Sequence, residues 1–125
     1  MSKEIGKITK KIIKLLNLSY TGEIAIYIGT SNLEHMQKEH PEDFKKYGAE
    51  IEDIIKNPTY LARNEKKQSV EFIKEYKING EFVLVAVRVS GKGKYFARTM
   101  YIMDNEKVEK YFKHNYFYKF ELENE

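Results

Sequence analysis

SVEFIKEYKINGEFVLVAVRVSGKGKYFARTMYIM, residues 69–103, contains three runs dense in β-branched and aromatic residues, parted by two short glycine-bearing breaks. The runs at 69–77, 82–90 and 95–103 read as strands. Between the first two, Ile78-Asn79-Gly80-Glu81 carries the Asn-Gly pair of a tight type I′ hairpin. Between the second and third, Gly91-Lys92-Gly93-Lys94 supplies another turn. Connections this short join only antiparallel neighbours, because parallel strands need a long crossover. The stretch is therefore a meander, and Thr59–Arg63 just before it is a candidate first strand. The expected sheet has four antiparallel strands.

Working outward toward the N-terminus, the period changes. In residues 4–17, Ile5, Ile8, Ile12, Leu15 and Leu16 recur at helical spacing, with Lys7, Lys10, Lys11 and Lys14 largely on the other side. This predicts an amphipathic helix. EIAIYIG (23–29) reads as a short strand. Ser31 with Glu34 three residues on forms a capping box that would start a helix at Asn32. Pro41 ends it, since a residue before proline is pushed out of the helical region. Residues 42–48 follow as a loop or short helix, and 49–57 as another short helix stopped at Asn57-Pro58. On the C-terminal side, Asp104 or Asn105 can cap a final helix, and 121–125 should fray. The expected fold is α+β: N-terminal helices packed on a four-stranded antiparallel sheet, with a C-terminal helix. One domain over 1–125 would hold the helix at 4–17, a core at 23–104, and the helix and tail at 105–125.

The 125 residues suit one domain with a real core. No stretch approaches 18 apolar residues, and the N-terminus lacks the order of a signal peptide, so the expected location is cytoplasmic with no membrane partner. Cysteine is absent, which excludes disulfides, thiolate nucleophiles and cysteine-bound zinc. A net charge of +3, from 22 basic and 19 acidic side chains, is only a slight pull toward polyanions.

Few groups remain for chemistry. Gly91-Lys92-Gly93-Lys94 lacks the phosphate-loop pattern and any following helix, so it is a hairpin tip. His35 and His40 lie five apart, offset by about 140° on a helix, whereas a zinc helix places its histidines four apart on one face. Glu50, Glu52 and Asp53 read as the solvated side of a helix. No metal and no cofactor is expected. Acid–base chemistry without a metal is left. Two histidines suit the cutting of RNA through its own 2′-hydroxyl: one takes the hydroxyl proton and the other protonates the leaving 5′-oxygen, both titrating near neutral pH. The charge on phosphorus needs fixed cations and donors. Lys67, Ser69, Arg88, Arg98, Thr99 and Tyr101 can supply them; alternation puts Thr99 and Tyr101 on one face and Arg98 on the other.

The runs His35-Met36-Gln37-Lys38-Glu39-His40-Pro41, Ile54-Ile55-Lys56-Asn57-Pro58-Thr59-Tyr60, Lys67-Gln68-Ser69-Val70 and Arg98-Thr99-Met100-Tyr101, in that order, resemble the phage-associated branch of the barnase–EndoU–colicin–RelE-like nucleases. The resemblance spans roughly residues 24–104. It implies metal-independent RNA cleavage leaving a 2′,3′-cyclic phosphate, in a phage, mobile-element or toxin protein. The expected partners are RNA and, for a toxin, an inhibitor or antitoxin protein. It also implies that the family's helical histidines correspond to His35 and His40, and its strand-borne polar residues to Lys67, Ser69 and Thr99. The expected site is thus His35, His40, Lys67, Ser69 and Thr99 for catalysis, with Arg88, Arg98 and Tyr101 binding substrate.

Two other readings compete. One is a non-catalytic RNA-binding or protein-interaction module on the same scaffold. The other is a phage structural or regulatory protein using the apolar stripe of residues 5–16 as a handle. The run Tyr111–Phe120 interleaves aromatic and basic residues; its rings either dock on the core or stack on bases. His114 within it reads as a helix-end residue.

Overall fold

The structure, a computed structural model, describes residues 1–89 and 93–120. It corrects the expected fold class. The described strands form one seven-stranded mixed sheet rather than a four-stranded antiparallel one, and a strand, not a helix, comes first. In chain order the elements are β1 (Ser2–Ile8), α1 (Lys10–Leu15), β2 (Ile24–Gly29), α2 (Thr30–Glu39), α3 (Pro41–Tyr47), a 3-10 turn (Gly48–Glu50) and α4 (Ile51–Lys56). There follow β3 (Tyr60–Asn64), β4 (Ser69–Tyr76), β5 (Glu81–Val89), β6 (Tyr95–Ile102), α5 (Asn105–Lys113) and β7 (Tyr118–Lys119). The strand order is β1-β2-β6-β5-β4-β3-β7. The expected meander is its centre; only β2 and β6 pair in parallel.

The N-terminal helix over 4–17 is replaced by a strand and a short helix for a specific reason. Ile5 and Ile8 are three apart, so strict alternation would send them to opposite faces. The register of β1 on β2 shifts between Glu4 and Gly6, which makes Ile5 the extra residue of a bulge. Both isoleucines then point inward, 1% and 0% exposed. A bulged strand has reproduced the i, i+3 signature of a helix. Gly6 beside it has no room for a side chain: an added Cβ would lie 2.5 Å from Ile55 Cγ2 of α4. Thr9 then accepts a hydrogen bond from the Ile12 N–H at 3.3 Å and starts α1. Ile12 and Leu16 are buried in the same core, so the apolar stripe proposed as a partner handle is covered from within.

Two other boundaries differ from expectation. α2 begins at Thr30, directly after β2, and its reciprocal cap is the Asn32 carboxamide oxygen accepting from the Gly29 N–H at 2.8 Å, not a Ser31–Glu34 box. The hairpin between β4 and β5 is a four-residue loop closed by the Tyr76–Glu81 pair, with Gly80 alone at positive φ (+64°), so it is not a two-residue type I′ turn. The expected turn at Gly91-Lys92 and the expected fraying of 121–125 lie outside the described residues.

The two faces of β4, β5 and β6 differ sharply. Val70, Phe72, Val83, Val85, Val87, Ala97 and Met100 join Ile5, Ile8, Ile26, Ile54 and Ile55 in the main core. α4 covers this side, tied to β4 by Lys74 donating to Asp53 at 2.5 Å. The opposite face carries a smaller cluster of Ala62, Ile73, Leu84, Ala86, Met103 and Tyr111, partly covered by α5. Phe117 stacks on Tyr60 there at 4.6 Å, and β7 pairs with the edge of β3. What α5 leaves open becomes the cleft.

Candidate active site

Strand register builds the floor of this cleft. Ser69 stands opposite Arg88, Glu71 opposite Ala86, Ala86 opposite Thr99, and Leu84 opposite Tyr101. The small side chain of Ala86 between Glu71 and Thr99 gives the floor its depth. Alternation placed Arg98 on the other face from Thr99, and the structure corrects that. The register of β5 on β6 shifts between Ala86 and Val87, making Arg98 the extra residue of a second bulge. Arg98, Thr99 and Tyr101 therefore all line the cleft.

α2 supplies one wall. Asn32, His35 and Glu39 share its cleft-facing side, while Met36, fully buried, anchors the helix to the core. His35 Nε2 lies 3.4 Å from Glu39 Oε1 one turn on, and both side chains are more than half exposed. His40 would point about 140° away from His35 if the helix ran through it. It does not: Pro41 opens α3, and His40 leaves the helix with φ −136° and ψ 68°. Its ring comes to rest 5.4 Å from Tyr101, facing the same space as His35.

Lys67 enters from the tight turn between β3 and β4, where its N–H donates to Asn64 Oδ1 at 3.1 Å and Gln68 takes a left-handed φ of +54°. The cleft encloses about 480 Å³. His35, His40, Lys67, Ser69, Arg88, Arg98, Thr99 and Tyr101, which sequence reasoning drew from four separate segments, all line it. His114 does not; it caps the end of α5 and stacks on Tyr116 at 5.4 Å.

Glu71 was missed. It is 4% exposed on the cleft floor and accepts a hydrogen bond from the buried Tyr111 hydroxyl at 2.6 Å, with a longer 3.4 Å contact from Asn64. In the sequence it looks like an ordinary outward charge on an amphipathic strand. Its shared parity with Ser69 was the available signal, but its burial depends on α5. Burial, then the neighbouring Glu71 carboxylate, pushes the Tyr111 phenol well above its usual 10, so it stays a donor. Burial also raises Tyr101, partly offset by Lys107, whose ammonium donates to its hydroxyl. Ser69 Oγ is buried on the floor with no hydrogen-bond partner among the described residues.

The acidic residues Glu52 and Asp53 of α4 are engaged elsewhere. Asp53 pairs with Lys74, and Glu52 with Lys56 and Lys3. Among the described residues no three His, Asp or Glu side chains gather where they could hold a metal ion, and no helix is long and apolar enough to cross a membrane. The Tyr111–Phe120 run divides: Tyr111, Phe117 and Phe120 pack inward, while Phe112, Tyr116 and Tyr118 are 43–46% exposed.

A sequence model described as phage-Barnase-EndoU-ColicinE5/D-RelE like nuclease3 matches residues 3–110. No curated protein and no solved structure matches the chain.

Proposed function

The chain belongs to the phage-Barnase-EndoU-ColicinE5/D-RelE like nuclease3 family, and we propose that it is a metal-independent endoribonuclease acting in the cleft between α2 and the sheet. The observation that carries this reading is the meeting of two histidines with Lys67, Arg88, Arg98 and two hydroxyl residues in one polar cleft. One histidine accepts the proton of the ribose 2′-hydroxyl. The 2′-oxygen attacks the adjacent phosphorus, the bond to the 5′-oxygen breaks, and the other histidine protonates that oxygen as it leaves. The products are a 2′,3′-cyclic phosphate and a 5′-hydroxyl. Lys67, Arg88 and Arg98 offset the charge that grows on the phosphoryl oxygens, and Ser69 and Thr99 donate to them. The neutral Tyr101 phenol packs beside His40 and limits its orientations.

A phage, mobile-element or toxin origin fits the family's description. An RNA-cutting enzyme of that kind would act in the cytoplasm and be restrained there by an inhibitor protein.

The test is cleavage of single-stranded RNA in excess EDTA by wild type, His35→Ala and His40→Ala. Each variant should lose roughly 10²–10⁴-fold in rate, and a substrate with 2′-deoxyribose at the scissile position should be inert. Cleavage abolished by EDTA, or equal in all three proteins, would refute the mechanism. RNA bound but never cut would leave the non-catalytic module.

A further inference from the structure

Glu71 is a wall shared by two clefts. The second, about 1030 Å³, opens on the β3 side, between the β3–β4 turn and α5. We propose that it receives the next nucleotide of a single-stranded substrate whose scissile phosphate lies in the first cleft. The proposal rests on the nuclease reading and deepens it, by giving the strand a path and the enzyme a minimum substrate length.

Three features point to a nucleotide rather than to a small ion or an apolar ligand. First, two tyrosines line the second cleft with much of their surface open: Tyr116 is 45% and Tyr118 43% exposed. Tyr116 stands perpendicular to the buried Tyr111 ring at 5.5 Å and 89°, with His114 stacked on it at 5.4 Å, so its orientation is set before anything binds. A braced ring that keeps much of its surface open is what base stacking needs, and it accepts any base. Second, Lys66 and Lys110 stand exposed on a lining that also carries Arg63 and Lys107 against Glu65 and Glu106, leaving a slight cationic excess toward backbone phosphates. Third, the junction itself is a carboxylate. Glu71 has one oxygen engaged by Tyr111 and only a long contact from Asn64 on the other. A phosphate would be repelled there, whereas a sugar hydroxyl or a base N–H can donate to it. The strand should therefore cross Glu71 with a base or sugar turned inward and its phosphates turned out toward the lysines.

Binding and cleavage are measured separately. Fluorescence anisotropy follows uncleavable all-2′-deoxy di- and tetranucleotides. Cleavage follows a dinucleotide and two tetranucleotides, one extended on each side of a single ribonucleotide. Both use wild type and the Tyr116→Ala/Lys110→Ala double variant, whose altered side chains are exposed. One extension should raise affinity and kcat/KM about tenfold over the dinucleotide, within the range of one stacked base. That ratio should fall toward one in the double variant. A wild-type ratio near one, or a gain that survives in the double variant, would overturn the second site while cleavage itself upholds the nuclease. A length-dependent gain in binding that the variant loses, with no cleavage by wild type, would uphold the second site and overturn the nuclease. Neither binding nor cleavage would overturn both.

Discussion

β4, β5 and β6 present one side to the core and the other to the cleft, and adjacent residues of the same strands obey opposite rules. Val70, Phe72, Val85 and Val87 lie within a few per cent of full burial among other apolar side chains. Between them Ser69, Glu71 and Arg88 face the cleft, where Ser69 keeps a buried hydroxyl without a partner and Glu71 a buried carboxylate. The core side is arranged for stability. The cleft side retains an unsatisfied buried hydroxyl at Ser69, the kind of local cost that is usually kept for function. The contrast teaches that burial alone does not separate core from site: among the described residues the fully buried side chains of the core are apolar, and the two buried polar residues, Ser69 and Glu71, stand in the cleft.

Substitutions on the two sides should therefore separate stability from activity. Phe72→Ala, on the core side, should have the largest effect, about 3–5 kcal/mol in urea unfolding; a loss below about 1 kcal/mol would break the contrast. Glu71→Ala comes next. It strips the buried Tyr111 hydroxyl of its acceptor and should cost about 1–3 kcal/mol, whereas Glu71→Gln, which keeps an acceptor oxygen there, should restore most of that. Equal losses in both variants would mean that packing, not the hydrogen bond, holds Glu71. Ser69→Ala should be smallest in stability, within about 0.5 kcal/mol of wild type or slightly stabilising, since it deletes an unsatisfied group. RNA cleavage by that variant should nonetheless fall; full activity in a folded Ser69→Ala protein would remove Ser69 from the site.

The two bulges mark where reading by period stopped working. At Ile5 a bulge made a strand look helical, and at Arg98 it moved a side chain to the face that alternation denied it. A bulge inserts one residue and reverses parity; in SKEIGKI only Gly6 hints at it, and nothing local in FARTM does. The third case is His40. Pro41 ends α2 as expected, but only the backbone angles at the break turn His40 into the cleft that His35 lines. The order and antiparallel pairing of the meander, by contrast, were legible to within a residue at each strand end, though not the turn type between β4 and β5, because β-branched runs and short connections act locally.

By itself the sequence determined the antiparallel centre of the sheet, the absence of thiol chemistry, and the residue types in the cleft: histidine, lysine, arginine and hydroxyl side chains in a recognisable order. Those properties are local or compositional, and each is carried by a few neighbouring residues. Only the tertiary structure decided that the N-terminus joins the sheet, that β2 and β6 pair in parallel, and that Glu71 is buried between two clefts. Each depends on segments far apart in the chain meeting. Tyr111 reaches Glu71 from forty residues away, and no window along the sequence contains both.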